Sequence, residues 1–146
     1  MPYEQVSFER LHQMKHRIEE RIYEKISPLE VTAWVTKEPV PFTDFQSGLY
    51  LKLSPGDKWG DLWDCAWFHF KGTVPESAAN KKVVLLIDVN GELCLFDREG
   101  TPVQGLTNVN SQFDLKLGKP GKRVVDVRDC AVGGESIDLW GEAGCN

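Results

Sequence analysis

The stretch Trp59-Gly60-Asp61-Leu62-Trp63-Asp64-Cys65-Ala66-Trp67-Phe68-His69-Phe70 decides how this chain is read. It holds three of the five tryptophans and two carboxylates. Its first half reads as a loop, because Ser54-Pro55-Gly56-Asp57 just upstream has the proline, glycine and aspartate that turns require. From Cys65 onward the side chains alternate with a period of two, which predicts a strand. That places Trp67 and His69 on the face opposite Phe68 and Phe70, and Trp67 is expected to be buried. The loop half has two readings. Rings delivered from a loop to the end of a sheet can stack on sugar faces, and neighbouring aspartates can bind hydroxyls, which makes Trp59, Asp61, Trp63 and Asp64 candidate carbohydrate-binding residues. The same residues also suit a plug at the end of a β-sandwich.

Working outward, the period-two pattern dominates everything after Pro28. Glu30–Thr36 reads as a strand with Val31, Ala33 and Val35 on one face and Trp34 on the other. Residues 37–48, with Pro39 and Pro41, read as a loop leading to a short strand at Leu49–Leu53. Lys82–Val89 is an almost unbroken apolar run, which predicts a strand buried on both faces. Asn90-Gly91 is the clearest turn signal, since a type I′ hairpin needs positive φ at both central residues. It predicts a hairpin from Lys82–Val89 into a returning strand at Glu92–Asp97. Further strands are expected at 103–106, 113–117, 122–128 and 135–140. Short strands at this spacing describe a β-sandwich or jelly roll.

Upstream, residues 7–26 carry a helical period. Phe8, Leu11, Met14, Ile18, Ile22 and Ile26 fall within an arc of about 120° at 100° per residue, forming one apolar stripe. Ser7 suits an N-cap, and Ser27-Pro28 ends the helix because the residue before proline is pushed out of the α region. The stripe needs a surface to cover, either the sandwich of this chain or another body. The expected division is therefore a helix over residues 1–28 and a β-sandwich over 29–146.

With 146 residues, 41% apolar and 27% charged, the chain suits one globular domain. A net charge of −5 without a basic cluster argues against nucleic acid and anionic membranes as partners. No apolar run is long enough for a membrane span and no secretion signal opens the chain. The four cysteines, Cys65, Cys94, Cys130 and Cys145, include no Cys-x-x-Cys pair and read as reduced thiols. No Asn-x-Ser/Thr acceptor occurs, so a cytoplasmic location is expected.

No convincing active site emerges. Glycoside hydrolysis uses two carboxyl groups facing each other about 5–10 Å apart. Asp61 and Asp64 share one loop, and Asp97 reads as a turn former rather than the partner of Asp88. Cys65 and His69 are four residues apart on one strand, about 13 Å, too far for a thiol–imidazole pair. His12 and His16 have the spacing of a helical metal pair but no third ligand nearby. No catalytic or metal-binding residue is expected in this chain.

The run from Lys58-Trp59-Gly60 through Trp63-Asp64-Cys65-Ala66-Trp67-Phe68-His69-Phe70-Lys71-Gly72-Thr73-Val74-Pro75 resembles the N-terminal domain of glycoside hydrolase family 38 α-mannosidases, in their cytoplasmic and bacterial branch. The similarity continues through residues 81–88, Leu95-Phe96-Asp97 and Gly100-Thr101-Pro102-Val103-Gln104-Gly105-Leu106-Thr107. Gly141-Glu142-Ala143-Gly144-Cys145-Asn146 is similar to that family's Glu-Ala-x-x-Asn-Gly stretch. The resemblance implies a mainly β fold, a galactose-binding-like jelly-roll sandwich with one N-terminal α-helix, truncated before the catalytic domain. The zinc, the nucleophile and the retaining chemistry would then belong to that domain, with no cofactor in this chain. The implied partners are the catalytic domain of the same polypeptide, other subunits of a homo-oligomer and mannose-containing oligosaccharide. The alternative is a carbohydrate-binding module that stacks sugars on its loop tryptophans.

Overall fold

The alternation after Cys65 is realised as the central strand of the fold. The computed structural model describes residues 2–107 and 122–145, with side chains from Val6 onward. Among these residues the helix is α1 (Pro2–Ile22). The strands are β1 (Glu30–Thr36), β2 (Leu49–Leu53), β3 (Cys65–Thr73), β4 (Val83–Leu86), β5 (Glu92–Phe96), β6 (Pro102–Thr107), β7 (Val124–Arg128) and β8 (Ser136–Gly144). The strands expected at 122–128 and 135–140 are therefore present as β7 and β8, the latter running on to Gly144. The strand expected at 113–117 lies outside the described residues.

Two antiparallel sheets face each other, one ordered β2-β1-β3-β8-β5-β6 and the other β4-β7. The large sheet turns Ala33, Phe68, Phe70, Leu93, Leu95 and Ala143 inward, where Leu85, Ile87 and Val125 meet them. Burying each large apolar side chain there contributes roughly 1.5–3 kcal/mol. Val31, Ala33 and Val35 share the inner face and Trp34 the outer one, as the alternation requires. The result is the mainly β sandwich with one N-terminal helix.

Four expectations change. The helix starts at Pro2 and ends at Ile22, so Ser7 sits inside it and residues 23–29 form an irregular linker. Proline is favoured at a first helical position because its φ is preset and its missing N–H has no helical partner there. Asn90-Gly91 does not close a hairpin, because β4 and β5 lie in different sheets. Asn90 has a φ of +54° but Gly91 is not in the positive-φ region. Gly91 is required instead by close approach, since a Cβ there would collide with the carbonyl oxygen of Gly144. The apolar run 82–89 is not buried on both faces: Val83 and Leu85 point inward while Leu86 is 50% exposed. Within the presumed loop at 37–48, Phe42–Ser47 forms a 3-10 turn.

That turn covers the outer face of the large sheet with an aromatic cluster. Phe42 packs edge-on to Trp67 and Trp140, with ring centroids 5.0 and 4.9 Å apart. Trp34 stacks against Trp140 at 5.6 Å and meets Phe45 edge-on at 4.7 Å. Trp67 is buried as expected, its Nε1 donating to the carbonyl of Val40 at 2.8 Å. The large sheet is thus covered on both faces near its centre.

Candidate functional site

The loop from Ser54 to Asp64 positions the four residues singled out from the sequence, and it gives them different environments. Trp59 is half-buried, its ring edge-on to Phe68 at 5.3 Å and its Nε1 donating to the Val89 carbonyl at 2.6 Å. Trp59 therefore ties the loop to the end of the small sheet. Asp64 is the buried charged side chain among the described residues, 6% exposed. One carboxylate oxygen accepts from Lys37 Nζ at 2.7 Å, and the other accepts from the Asp61 backbone N–H at 2.9 Å. These bonds hold its carboxyl below the usual carboxylate range, the Asp61 N–H contributing most and Lys37 next. The Lys37 side chain over it is 78% exposed, so the pair sits at the surface and salt weakens it.

Asp61 and Trp63 face solvent. Asp61 pairs with Lys58 at 2.5 Å, which lowers its carboxyl from the ordinary value. Trp63 is 72% exposed and Leu62 beside it 63%. Trp63 has a φ of +71°, a left-handed conformation that costs a bulky side chain on the order of 1 kcal/mol. It is held there by its N–H donating to the Cys145 carbonyl at 2.7 Å, while the Cys145 N–H donates to the Asp64 carbonyl at 2.9 Å. The end of β8 therefore fixes the displayed tryptophan. The structure gives Trp59 and Asp64 partners inside the protein and leaves Trp63 and Asp61 at the surface.

Asp88, Asp97 and His16, also weighed from the sequence, have partners within the protein. Asp88 accepts from Arg123 at 2.7 Å and from the Asn90 N–H at 2.9 Å. Asp97 accepts from the Glu99 and Thr101 N–H groups, the turn-forming role expected of it. His16 lies 3.2 Å from Glu20 on the exposed helix. Among the described residues, no group of three or more His, Cys, Asp or Glu side chains is arranged to hold a metal ion. All four cysteines are unpaired.

One arrangement was not legible beforehand. His69 lies on the aromatic face, its ring stacked on Trp140 with centroids 3.9 Å apart. Its Nε2 is 2.7 Å from Asp138 Oδ1, and that bond is the main cause of the lowered Asp138 carboxyl value. Asp138 and His69 are 69 positions apart in sequence and meet as diagonal neighbours on paired strands β3 and β8, where Trp140 stands opposite His69 and Lys71 opposite Asp138. Only the registry of those strands reveals the pair.

An open groove of ≈ 1390 Å³ runs between the sheets. Its floor includes Val31, Leu53, Phe68 and Phe70 from the inner face of the large sheet. One wall is the tryptophan loop, the other is β4, and the linker after α1 forms part of the rim.

A family model described as "Alpha-mannosidase, jelly roll domain" matches residues 27–146, which leaves α1 outside the matched region. No curated protein matches the chain.

Proposed function

The chain belongs to the alpha-mannosidase jelly roll domain family, and from that premise we propose that it is the non-catalytic N-terminal accessory domain of a glycoside hydrolase family 38 α-mannosidase. The parent enzyme would hydrolyse α-mannosides with retention, using zinc and a nucleophile supplied by a separate catalytic domain. Its partners would be that catalytic domain on the same polypeptide, other subunits of a homo-oligomer and mannose-containing oligosaccharide at the cleft. The observation that carries the non-catalytic reading is that Asp61 and Asp64 are each paired to a lysine. Retaining hydrolysis needs one carboxyl group kept protonated as an acid opposite a second as nucleophile. Paired cations oppose that protonation, because they favour the charged form. Four unpaired thiols support a cytoplasmic location, where reducing conditions keep them free. No helix among the described residues is long and apolar enough to cross a membrane.

The test is hydrolysis of an aryl α-mannoside by the purified chain with and without added zinc. No turnover above buffer is expected in either case; zinc-dependent turnover by this chain overturns the accessory reading.

A second reading is favoured by Trp63, a strained and exposed ring on a rigid anchor. In this reading the loop binds carbohydrate: Trp63 stacks on a sugar face, Asp61 takes hydroxyls, and Trp59 and Asp64 hold the loop in shape. Titration with mannose oligosaccharides would then change tryptophan fluorescence, and Trp63→Ala would abolish the change. A flat titration removes this reading.

A further inference from the structure

The turn at residues 61–64 displays an apolar surface that the rest of the sandwich leaves open. Trp63 is 72% exposed and Leu62 beside it 63%. The indole N–H groups of Trp59 and Trp67 each donate to a backbone carbonyl, whereas that of Trp63 has no such partner among the described residues. A bulky residue at a φ of +71° is an outlier, and such conformations persist only where the surroundings over-determine them. Here the Trp63 N–H donates to the Cys145 carbonyl and the Cys145 N–H donates to the Asp64 carbonyl. The Asp64 N–H closes the turn on the Asp61 carbonyl at 3.0 Å, and the Asp64 carboxylate accepts from the Asp61 N–H at 2.9 Å. The ring is therefore held in one direction before anything binds it, which lowers the ordering cost of a contact.

We propose that Trp63 and Leu62 are the contact by which this sandwich docks on the domain following it on the same polypeptide. Trp63 fills an apolar pocket of that domain, where an oxygen acceptor takes its indole N–H. The proposal rests on the accessory-domain reading and gives that reading its interface.

Position points to this occupant. The bonds between residues 63–64 and Cys145 set the end of β8 against the turn. Polypeptide continuing beyond Asn146 therefore sets out beside the exposed ring, and a linker of about six residues keeps its next element within about 20 Å. Area makes the same choice. Trp63 and Leu62 offer on the order of 300 Å², or about 600 Å² counted on both partners. A specific interface between free molecules buries about 1,200 Å² or more, so the patch is too small for an untethered protein or a second copy. Attachment on one chain raises the effective concentration to about the millimolar range, where a contact of this size holds.

The surrounding charges suit burial against protein. Lys58 pairs with Asp61 and Lys37 with Asp64, so the charges around the ring cancel within the chain. The result is an aromatic anchor inside a polar, neutral rim, the arrangement in which interface tryptophans contribute most. A sugar is the poorer occupant. Both aspartates that could take its hydroxyls already accept from a lysine, and Leu62 offers no hydrogen bond.

The test compares the 146-residue chain with its full-length parent, each exposed to hydroxyl radicals and mapped by mass spectrometry. In the 146-residue chain Trp63 and Leu62 are expected to oxidise readily, with buried Trp67 as the protected reference. In the parent, without added sugar, Trp63 labelling is expected to fall about tenfold, from that of a ring 72% exposed to the level of Trp67 at 6%. Equal labelling in the two proteins overturns the proposal and leaves the accessory reading standing. Protection that needs added mannose oligosaccharide overturns it, since the ring then serves a sugar. Protection in the 146-residue chain that grows with its own concentration overturns it too, since the occupant is then a second copy. A coding sequence with no hydrolase domain after Asn146 removes the accessory reading itself, and the proposal with it, before any labelling.

Discussion

The helix α1 and the strand β3 carry the two plainest apolar periods in the chain, and they end in opposite environments. On β3, Phe68 and Phe70 are buried against the small sheet, while Trp67 on the other face is buried under Phe42 and Phe96. On α1 the stripe is as regular, yet Phe8 is 65% exposed where Phe68 is 2%. Both patterns create an apolar surface; what differs is whether the chain brings another surface to it. β3 is hydrogen-bonded to β1 on one side and β8 on the other, so registry delivers neighbours to both of its faces. Registry delivers nothing to a helix joined to the sheets by an irregular linker. A period therefore reports the shape of an element and which side is apolar, but not its partner.

The largest expected effect lies on β3. Phe68→Ala removes the ring at the centre of the sandwich and should cost about 3–5 kcal/mol in urea unfolding, as lost transfer energy plus the cavity left behind. A cost below 1 kcal/mol would mean that β3 is not the element the core is assembled on.

Next comes the entrance to β3. Asp64→Asn removes the charge that Lys37 and the Asp61 N–H are arranged around. The urea midpoint at neutral pH should fall, by less than in Phe68→Ala. The folded-state value of Asp64 is depressed, so its contribution is present above the unfolded carboxylate value, about 3.9. It is lost as pH falls through the lower folded value, where the native carboxyl is protonated. The midpoints of wild type and variant should therefore separate at neutral pH and converge below about pH 4. Curves that stay parallel into acid would remove the ion pair as the cause.

The smallest effect should come from α1. In dilute solution, Leu11→Ser/Ile18→Ser should leave the unfolding free energy of the sandwich unchanged within about 0.5 kcal/mol, as for exposed positions generally. A loss comparable to that in Phe68→Ala would show the helix bound to its own sandwich and erase the contrast between the two regions.

Much of the fold was legible because strand faces are local. The inward set Val31, Ala33 and Val35 and the split of Phe68 from Trp67 both follow from the two-residue period. The turn role of Asp97 was equally local, since its carboxylate reaches N–H groups only two and four residues ahead. Errors arose where the decision was made across the chain. Asn90-Gly91 has hairpin chemistry, yet its strands joined different sheets, and the glycine answers to the approach of Gly144 some fifty residues later. The candidate site divided in the same way. Loop composition identified its residues, but only the folded chain showed Trp59 bonded to Val89, Asp64 locked by Lys37, and Trp63 displayed.

By itself, the sequence determined the β-sandwich class, the presence of an N-terminal helix, the faces of β1 and β3 and the loop in which two tryptophans would stand. Each of these depends on neighbours within a few positions, where steric periods and turn chemistry act. Tertiary structure alone decided the order of strands in the sheets, the pairing of His69 with Asp138, the aromatic cover of Phe42 and Phe45, and the open groove. Those depend on which distant segments pair, a choice made by the free energy of the whole core. In the tryptophan loop both levels meet: local chemistry makes the turn, and the bond from Trp63 to Cys145 sets what it displays.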